Sequence, residues 1–593
     1  MERKDIETAF KWNEADIYET TEAFNADYDR ANLMLRKLVN FRGKLGSEKE
    51  LEKFLKQETE LDIKLEKIIV FAQLKKSVEN NVPENAEMQS RANDILVKAS
   101  EALSFFESEV SALSDKVLLE YSKKPEFIGH ERFFKFLIKN RPHILSAEEE
   151  KIVSSAGAFA NFEETFNVLS NAEMPIEQIK TSGGKRIRLT NSNYSKFVES
   201  PDREIRQLAY NNYNSAYKKF NMTYASNYIS ALQYENFLVK CYKFNSNFER
   251  ISFYDEIPEK LLGTMLSSVH KNLKLFYKLE SIKKKYLNLD RMKIYDIFAG
   301  LKTDKCTKYP YKSGEEIILN SLSVLGEDYT KIIKKAIKER WIDLYPSKNK
   351  ESLCYCTSCY GVHPYVLVNY NNTLDAVSTL SHEVGHAVQA YLASKSQPYN
   401  YSSAPSLTGE IASTVNEILT KKYVIDHART KEERINAIDS LLIDFYGAIF
   451  KQSLYTEFEM FASGEIEKGE MLTFEKLNKK YKDLLKTYFG DIAAGTHNCE
   501  YEWSRLPHLY SPFYVYTYVV GFVSACYICS RLLSGDKAYI NKYLEFLSAG
   551  SSRTPAELLK IVEIDICDEK VYNMAFKLFD LFIDELKELL EEN

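Results

Sequence analysis

Two histidines and a glutamate form the pattern His-Glu-x-x-His in the second half of this 593-residue chain. His382 and His386 are four residues apart, so on a helix their side chains lie on one face, one turn apart. Together they can bind one metal ion, and Glu383 would lie beside it as a general base for a water molecule. The chain has nine histidines. With this composition, the expected number of such pentapeptides arising by chance in the whole chain is about 0.01. The pattern therefore predicts a metal site with hydrolytic chemistry.

A third ligand is needed, because catalytic zinc commonly takes three protein ligands and leaves one position open. The extended metzincin pattern does not supply it, since Gln389 and Leu392 occupy its glycine and third-histidine positions. Glu410 follows 28 residues after the first histidine, and Glu417 lies two helical turns further on. We predict Glu410 as the ligand and Glu417 as a partner that fixes a histidine or a water. His363, on or beside a predicted strand, is the rival ligand.

Metal-assisted hydrolysis of an amide also needs hydrogen-bond donors for the oxyanion that forms at the carbonyl. His508, Tyr514 and Tyr518 are the candidates, and the two tyrosines are one helical turn apart. The competing interpretation is packing, because most of the 40 tyrosines are expected to be core residues with one hydrogen bond. Glu383 is the predicted base, which accepts the proton of water and later gives it to the leaving amine.

Strands and helices are predicted around these residues. The segments 354–356 and 364–370 are rich in β-branched and aromatic residues and predict two short strands around Gly361. Asn371-Asn372-Thr373 is a predicted turn that can cap the helix carrying the two histidines. A second helix is predicted to start at Thr408 or Gly409 and to carry both glutamates.

The rest of the chain is predicted to be mostly helical, because Leu, Lys and Glu are abundant while glycine and proline number 21 and 14. Apolar residues recur at helical spacing through residues 1–115, with a turn predicted at 82–85. The stretch 181–190 contains Gly183-Gly184 followed by alternating residues and predicts a β-hairpin. It lacks the spacing of a phosphate-binding loop.

Charge and cysteine content limit the class of protein. The net charge of −6 gives no general electrostatic basis for binding nucleic acid. No apolar signal segment and no membrane span are predicted. Nine cysteines, an odd number, favour free thiols and a cytoplasmic location. The close group Cys354, Cys356 and Cys359 is interpreted as ordinary reduced cysteines, because a structural zinc site needs four ligands.

Four blocks of sequence, taken in their order and spacing, resemble the oligoendopeptidase F branch of the thimet-oligopeptidase-like (M3) zinc metallopeptidases. Weaker likeness extends over nearly the whole chain, from Trp12 to the segment 546–550. The blocks are His363-Pro364-Tyr365 through Asn369-Tyr370, Thr379-Leu380-Ser381-His382-Glu383-Val384-Gly385-His386-Ala387, Gly409-Glu410-Ile411-Ala412-Ser413-Thr414-Val415-Asn416-Glu417, and Pro507-His508-Leu509-Tyr510-Ser511-Pro512-Phe513-Tyr514-Val515-Tyr516.

The resemblance implies a mainly α, two-lobed fold with a deep central channel and a small β-sheet next to the zinc-binding helices. It implies one Zn²⁺ per chain, with Glu410 as third ligand, in a cytoplasmic endopeptidase for short peptides. The strand 364–370 would be an edge that pairs with substrate backbone. The expected domains are an N-terminal helical hairpin lobe (1–115), an oligopeptidase F N-terminal-type region (116–200) and the M3 catalytic domain (201–593). Monomer or homo-oligomer is left open.

The chain departs from the family pattern at two places. Gln389 replaces a further histidine, and Leu353-Cys354 replaces a small Gly-Ala pair before the first strand. Two other functions compete. One is a zinc carboxypeptidase of similar helical fold (M32-like), and the other is a helical peptide-binding scaffold with a vestigial site.

Overall fold

The computed structural model describes residues 2–301 and 307–591. It is 72% helical with only small sheets, as predicted. The chain divides into two compact units, each built from three segments. Unit 1 comprises Met1–Pro142, Thr307–Tyr423 and Ile528–Glu563, and unit 2 comprises His143–Cys306, Val424–Tyr527 and Ile564–Asn593.

The helices of unit 1 come from all three of its segments. One of them, Ser406–Asp426, carries Glu410 and continues past Tyr423 into unit 2. They are α1 Thr21–Leu38, α2 Glu48–Val78, α3 Pro83–Leu103, α4 Phe105–Ser111, α5 Asp115–Tyr121, α6 Glu131–Asn140, α14 Tyr311–Ser321, α15 Glu327–Lys338, α16 Leu374–Ser396, α17 Ser406–Asp426, α23 Lys537–Ser548 and α24 Pro555–Ile561.

Unit 2 is also built mainly from helices, and one of them, Tyr516–Leu533, continues into unit 1. They are α7 Ala147–Ala156, α8 Phe162–Asn167, α9 Tyr194–Val198, α10 Arg203–Lys219, α11 Asn221–Cys241, α12 Asn247–Tyr254, α13 Leu261–Tyr286, α18 Lys431–Phe445, α19 Gln452–Glu467, α20 Phe474–Phe489, α21 Asp491–Ala494, α22 Tyr516–Leu533 and α25 Glu569–Glu591.

Helix α22 is long and apolar enough to cross a membrane, and among the described residues no other helix passes that test. However, 72% of its residues are buried inside the protein. Such burial is expected of a helix in the core of a folded domain, where an apolar surface on all sides packs against other elements.

The strands form two small sheets. In unit 2, β1 (Ile179–Lys180) pairs antiparallel with β2 (Arg186–Ile187), which confirms the hairpin predicted around the Gly-Gly pair. Gly184 lies in its turn with φ +82°, a conformation that glycine adopts without steric cost. In unit 1, β3 (Ile342–Asp343), β4 (Tyr355–Thr357) and β5 (Tyr365–Leu367) form a sheet in the order β3-β5-β4.

The sheet of unit 1 corrects one expectation. Strand β5 pairs in parallel with β3 and antiparallel with β4, so it is central, and the expectation that it is an edge for substrate backbone is wrong. Strand β3 was missed because a two-residue segment carries no periodic pattern. Within the described sheet, β4 pairs on one side only, and it lies against α16.

A buried lysine holds β3 to β5. The side chain of Lys350 is fully buried and donates hydrogen bonds to the carbonyl oxygens of Asp343, Tyr345 and Val368. Its Nζ also lies 2.8 Å from one oxygen of the Asp343 carboxylate, and Arg3 contacts the other oxygen. A buried ammonium group is tolerated only when such partners replace its water.

Two element boundaries differ from the prediction. Pro83 begins α3, so the predicted turn at 82–85 lies mostly within the first turn of a helix, where proline fits because its missing N–H has no partner there. Helix α17 begins at Ser406, two residues before the predicted start, because the Thr408 amide already donates to the Pro405 carbonyl.

Candidate metal centre

Helix α16 presents the His-Glu-x-x-His pattern. Thr373 caps its N-terminus, accepting a hydrogen bond from the Ala376 amide, as the predicted turn at 371–373 required. His382 and His386 lie on the same face, with their Nε2 atoms 3.1 Å apart. The helix therefore directs two imidazole nitrogens at one point.

Glu410, from the first turns of α17, meets both histidines. Its Oε2 atom lies 3.4 Å from His382 Nε2 and 3.4 Å from His386 Nε2. Ligands about 2.0–2.1 Å from a tetrahedral zinc ion lie about 3.3 Å from one another. The three atoms thus form a triangle of the size that one zinc ion needs, and these residues fit the metal that the sequence predicts. Among the described residues, no other group of three acidic, histidine or cysteine side chains has this compactness.

Glu417 contacts the other nitrogen of the first histidine. Its Oε1 atom lies 2.6 Å from His382 Nδ1, so the Nδ1–H group donates to the carboxylate and Nε2 is left to face the triangle. A carboxylate in this position fixes the ring and makes the imidazole a stronger ligand.

Opposite charges meet at this point. Burial would lower the pKa of His382, but the Glu417 carboxylate, together with Glu383 and Glu410, raises it to about 9. Burial would raise the pKa of Glu410, but His386 and His382 lower it to about 2. Each shift favours the charged form of its group, because the histidines and the glutamates attract each other.

Glu383 lies next to the triangle without joining it. Only 6% of the residue is exposed, and burial raises the pKa of its carboxyl although the two histidines oppose the shift. A carboxyl group of this kind can hold a proton and release it, which is what a general base needs.

Close approach of the two ligand helices depends on a glycine within the pattern. A Cβ atom at Gly385 would lie 2.7 Å from Ser413 Cα and 2.8 Å from the Ala412 carbonyl oxygen, both in the α17 backbone. Any larger residue would force the helices apart. The role of Gly385 cannot be predicted from the sequence, because its position inside the pattern does not indicate which residues it contacts.

The rival ligand His363 is engaged elsewhere in unit 1. Its Nδ1 atom lies 2.8 Å from the Pro364 carbonyl oxygen, and its Nε2 lies 3.0 Å from Asp16 Oδ2. The ring also stacks on Trp341, with centroids 4.8 Å apart. Both nitrogens have partners, so this histidine serves as a packed polar residue of the core.

The cysteine group in and around β4 contains free thiols. Cys354, Cys356 and Cys359 form no disulfide, and the eight cysteines of the described residues are free. Cys306 lies outside the described residues. Burial raises the pKa of Cys359 to about 12, and burial together with the nearby Glu383 charge raises the pKa of Cys356. Thiols with a raised pKa agree with the interpretation as ordinary reduced cysteines.

The candidate oxyanion donors form a separate cluster in unit 2. His508 and Tyr514 are nearly parallel, with ring centroids 6.2 Å apart and an interplanar angle of 7°. The Tyr518 hydroxyl lies 3.5 Å from His508 Nε2. Burial lowers the pKa of His508, which keeps its imidazole neutral. The structure therefore brings these three predicted residues together.

A buried glutamate anchors the loop that carries this cluster. Phe513 has a φ of +50°, which is unfavourable for a residue with a side chain. Its amide donates to Glu459 Oε1 at 2.6 Å, and its ring packs on Phe248. The role of Glu459 was not predicted, because no residue near it on α19 indicates a partner 54 residues later.

Comparisons with known proteins also indicate a peptidase. The family described as "Peptidase family M3" matches residues 196–578, and "Oligopeptidase F" matches residues 109–175. The chain belongs to peptidase family M3. It is a metalloendopeptidase of that family, and the alternative of an M32-like carboxypeptidase is not favoured.

Three relatives cover nearly the whole chain. Oligopeptidase PepF of Bacillus subtilis is 30% identical over 99% of this chain and 88% of its own. A crystal structure from Chlamydophila abortus superposes with a TM-score of 0.92 at 29% identity, covering 99% of both chains. The structure of oligoendopeptidase-F from Enterococcus faecium has a TM-score of 0.75 at 26% identity and covers 96% of this chain and 99% of its own.

Proposed function

We propose that this protein hydrolyses internal bonds of short oligopeptides with one zinc ion per chain, held by His382, His386 and Glu410. The observation that carries the proposal is the triangle of two Nε2 atoms and one carboxylate oxygen, with edges of 3.1, 3.4 and 3.4 Å. When bound, zinc supplies a Lewis acid that polarises the scissile carbonyl and acidifies a water molecule.

The residues of the chain would then handle the proton. Glu383 accepts a proton from the attacking water, whose oxygen forms a bond to the carbonyl carbon. The carbon–nitrogen bond breaks next, and Glu383 gives the proton to the leaving amine. Glu417 holds the first histidine in its ligating orientation. His508, Tyr514 and Tyr518 are the proposed donors to the reacting carbonyl oxygen, and their mutual packing supports treating them as one group.

Substrate backbone is proposed to pair with β4. This strand has a neighbour on one side only within the described sheet and lies against α16, and main-chain pairing accepts peptides of many sequences. We further propose a cytoplasmic location, supported by the free cysteines. Neither nucleic acid nor a membrane is a proposed partner, given the net charge of −6. The domain division at residues 115 and 200 stays a prediction.

The test measures cleavage and metal content together. Wild-type protein, Glu383→Gln and Glu410→Ala are given an internally quenched peptide blocked at both ends, and bound zinc is measured by elemental analysis. We expect wild type to cleave internal bonds with one zinc per chain. Glu383→Gln should keep zinc and lose turnover by roughly 10²–10⁴-fold or more. Glu410→Ala should lose zinc, because two histidines alone leave the site incomplete.

A matched control is Glu470→Gln, which makes the same change at an exposed glutamate and should keep wild-type activity. Trimming of peptides only from a free C-terminus would replace the endopeptidase with a carboxypeptidase. Unchanged hydrolysis by Glu383→Gln would remove this residue as the base. Full zinc occupancy in Glu410→Ala would transfer the third-ligand role to Glu417.

A further inference from the structure

Three buried polar side chains join α16 to α17 close to the ligand residues. Ser381, Asn416 and Thr420 are each fully buried. Ser381 directly precedes the first histidine ligand, and Asn416 directly precedes Glu417. Burying polar groups at a helix contact is unfavourable unless each is hydrogen-bonded, so their partners define what this contact can do.

The hydrogen bonds cross between the two helices in both directions. Asn416 Nδ2 donates to the Ser381 carbonyl oxygen at 3.0 Å, and the Ser381 hydroxyl donates to the Asn416 carbonyl oxygen at 3.3 Å. The hydroxyl oxygens of Ser381 and Thr420 are 2.7 Å apart. Because two of these bonds use backbone carbonyl oxygens, they fix the position of one helix along the other and not only the side chains.

A tyrosine from a third helix fixes the Asn416 amide. The hydroxyl of Tyr329, on α15, donates to Asn416 Oδ1 at 2.8 Å, and the tyrosine is fully buried. An amide held in this way must present its NH₂ group to the Ser381 carbonyl. The flipped amide would place two acceptor oxygens together and would leave a buried donor without a partner.

Small displacements between these helices would matter for the ligands. The rise per residue of a helix is about 1.5 Å, and His382 Nδ1 is 2.6 Å from Glu417 Oε1. A slip of even one residue would separate the histidine from Glu417 and would distort the triangle with Glu410. The close approach at Gly385 limits the separation of the two helices, and the hydrogen bonds of Asn416 and Ser381 fix their position along each other.

We propose that Tyr329 and Asn416 are positioning residues for the metal site, which set the register of the two ligand helices through the Ser381 carbonyl. This inference rests on the proposed function, because it takes His382, His386 and Glu410 as the ligands. Tyr329 acts only through Asn416. The two residues therefore affect the helix register together and not independently.

Metal affinity and ligand geometry provide the test. The apparent zinc dissociation constant is measured by competition with a chromophoric chelator, and the cobalt-substituted protein is examined by visible absorption. We expect Tyr329→Phe to raise the dissociation constant about tenfold, the lower end of what losing a supporting residue beyond the metal ligands costs, and to change the cobalt spectrum. Asn416→Ala should raise it further.

The control is Tyr539→Phe, which also removes a buried tyrosine hydroxyl of unit 1. In the wild type this hydroxyl donates to the Val562 carbonyl oxygen at 2.9 Å. We expect it to lower the thermal midpoint as Tyr329→Phe does while leaving zinc affinity unchanged. In the double variant, Tyr329→Phe should add nothing to the effect of Asn416→Ala on zinc affinity.

Two results would overturn the proposal alone. One is a Tyr329→Phe protein with the zinc affinity and cobalt spectrum of the Tyr539→Phe control, and the other is additive effects in the double variant. A wild-type protein that binds no zinc at these ligands would overturn the proposed function together with this inference, so the two failures are distinguishable.

Discussion

The Gly385→Ala substitution tests whether close packing of α16 on α17 builds the metal site. The new methyl carbon would lie 2.7 Å from Ser413 Cα, 2.8 Å from the Ala412 carbonyl oxygen and 2.9 Å from the Ser413 nitrogen. These are backbone atoms of a helix, so no rotation of a side chain relieves the contact. Carbon atoms in a protein core pack at about 3.5–4.0 Å, so α17 must move away by about 0.8 Å or more.

The expected effect on stability is modest and the expected effect on the site is large. Overpacking of this kind costs about 1–3 kcal/mol, while replacing glycine by alanine within a helix returns about 1 kcal/mol. The net destabilisation should therefore be about 0–2 kcal/mol. Moving Glu410 and Glu417 by about 0.8 Å stretches contacts that are now 3.4 and 2.6 Å long. Misplacement on that scale costs about 10²-fold in activity.

The assay compares kcat/KM on a quenched peptide, zinc affinity and thermal unfolding for Gly385→Ala and a control. Gly464→Ala is the control, because Gly464 lies in the interior of α19 with nothing within 4 Å of its added methyl group. We expect the control to keep activity and to gain up to about 1 kcal/mol of stability. A Gly385→Ala protein with zinc affinity within twofold of wild type and unchanged kcat/KM would refute the reasoning.

Two further substitutions follow from the same structure. Gly550→Ala should lower the thermal midpoint strongly or prevent folding, because its Cβ would lie 1.8 Å from the Tyr401 carbonyl oxygen. Gly535→Ala, at another positive φ but in open space, should cost only about 1–2 kcal/mol. Equal losses of stability in the two variants, measured by circular dichroism, would contradict this. Burial raises the pKa of Glu459 to about 8, above its ordinary value of 4.5, so the folded protein holds a proton that the unfolded chain releases, and stability falls as pH rises between these values. Glu459→Gln removes the titrating group. The free energy of unfolding in urea, variant minus wild type, should therefore increase by at least about 1 kcal/mol from pH 5 to pH 8. The same difference at both pH values would argue against a protonated Glu459.

The sequence was sufficient for features that depend on local spacing. A four-residue separation on a helix places His382 and His386 on one face wherever that helix lies. Thr373 as a cap, the hairpin around Gly184 and the strand at 365–367 likewise depend on residues within a few positions of one another. The choice of Glu410 over His363 stays a prediction, and the structure places Glu410 beside both histidines and His363 beside Asp16.

Contacts between distant segments could not be predicted from local sequence patterns. The central position of β5 depends on β3, which is too short to show a pattern. Tyr329 lies 87 residues before Asn416, and Glu459 lies 54 residues before Phe513. Packing in three dimensions brings such distant partners together, and the sequence near either residue does not predict the other.

The chemistry of this protein was therefore determined by the types and spacing of a few residues, and the precision of its site by the tertiary structure. Local sequence specifies a helix with two imidazoles and a carboxylate beside them, since backbone geometry fixes their separation. Only the folded chain decides how near the second helix comes, through Gly385, and at which register it stops, through Asn416 and Tyr329. Close contacts and buried hydrogen bonds hold these distances, and both exist only after distant segments have packed together.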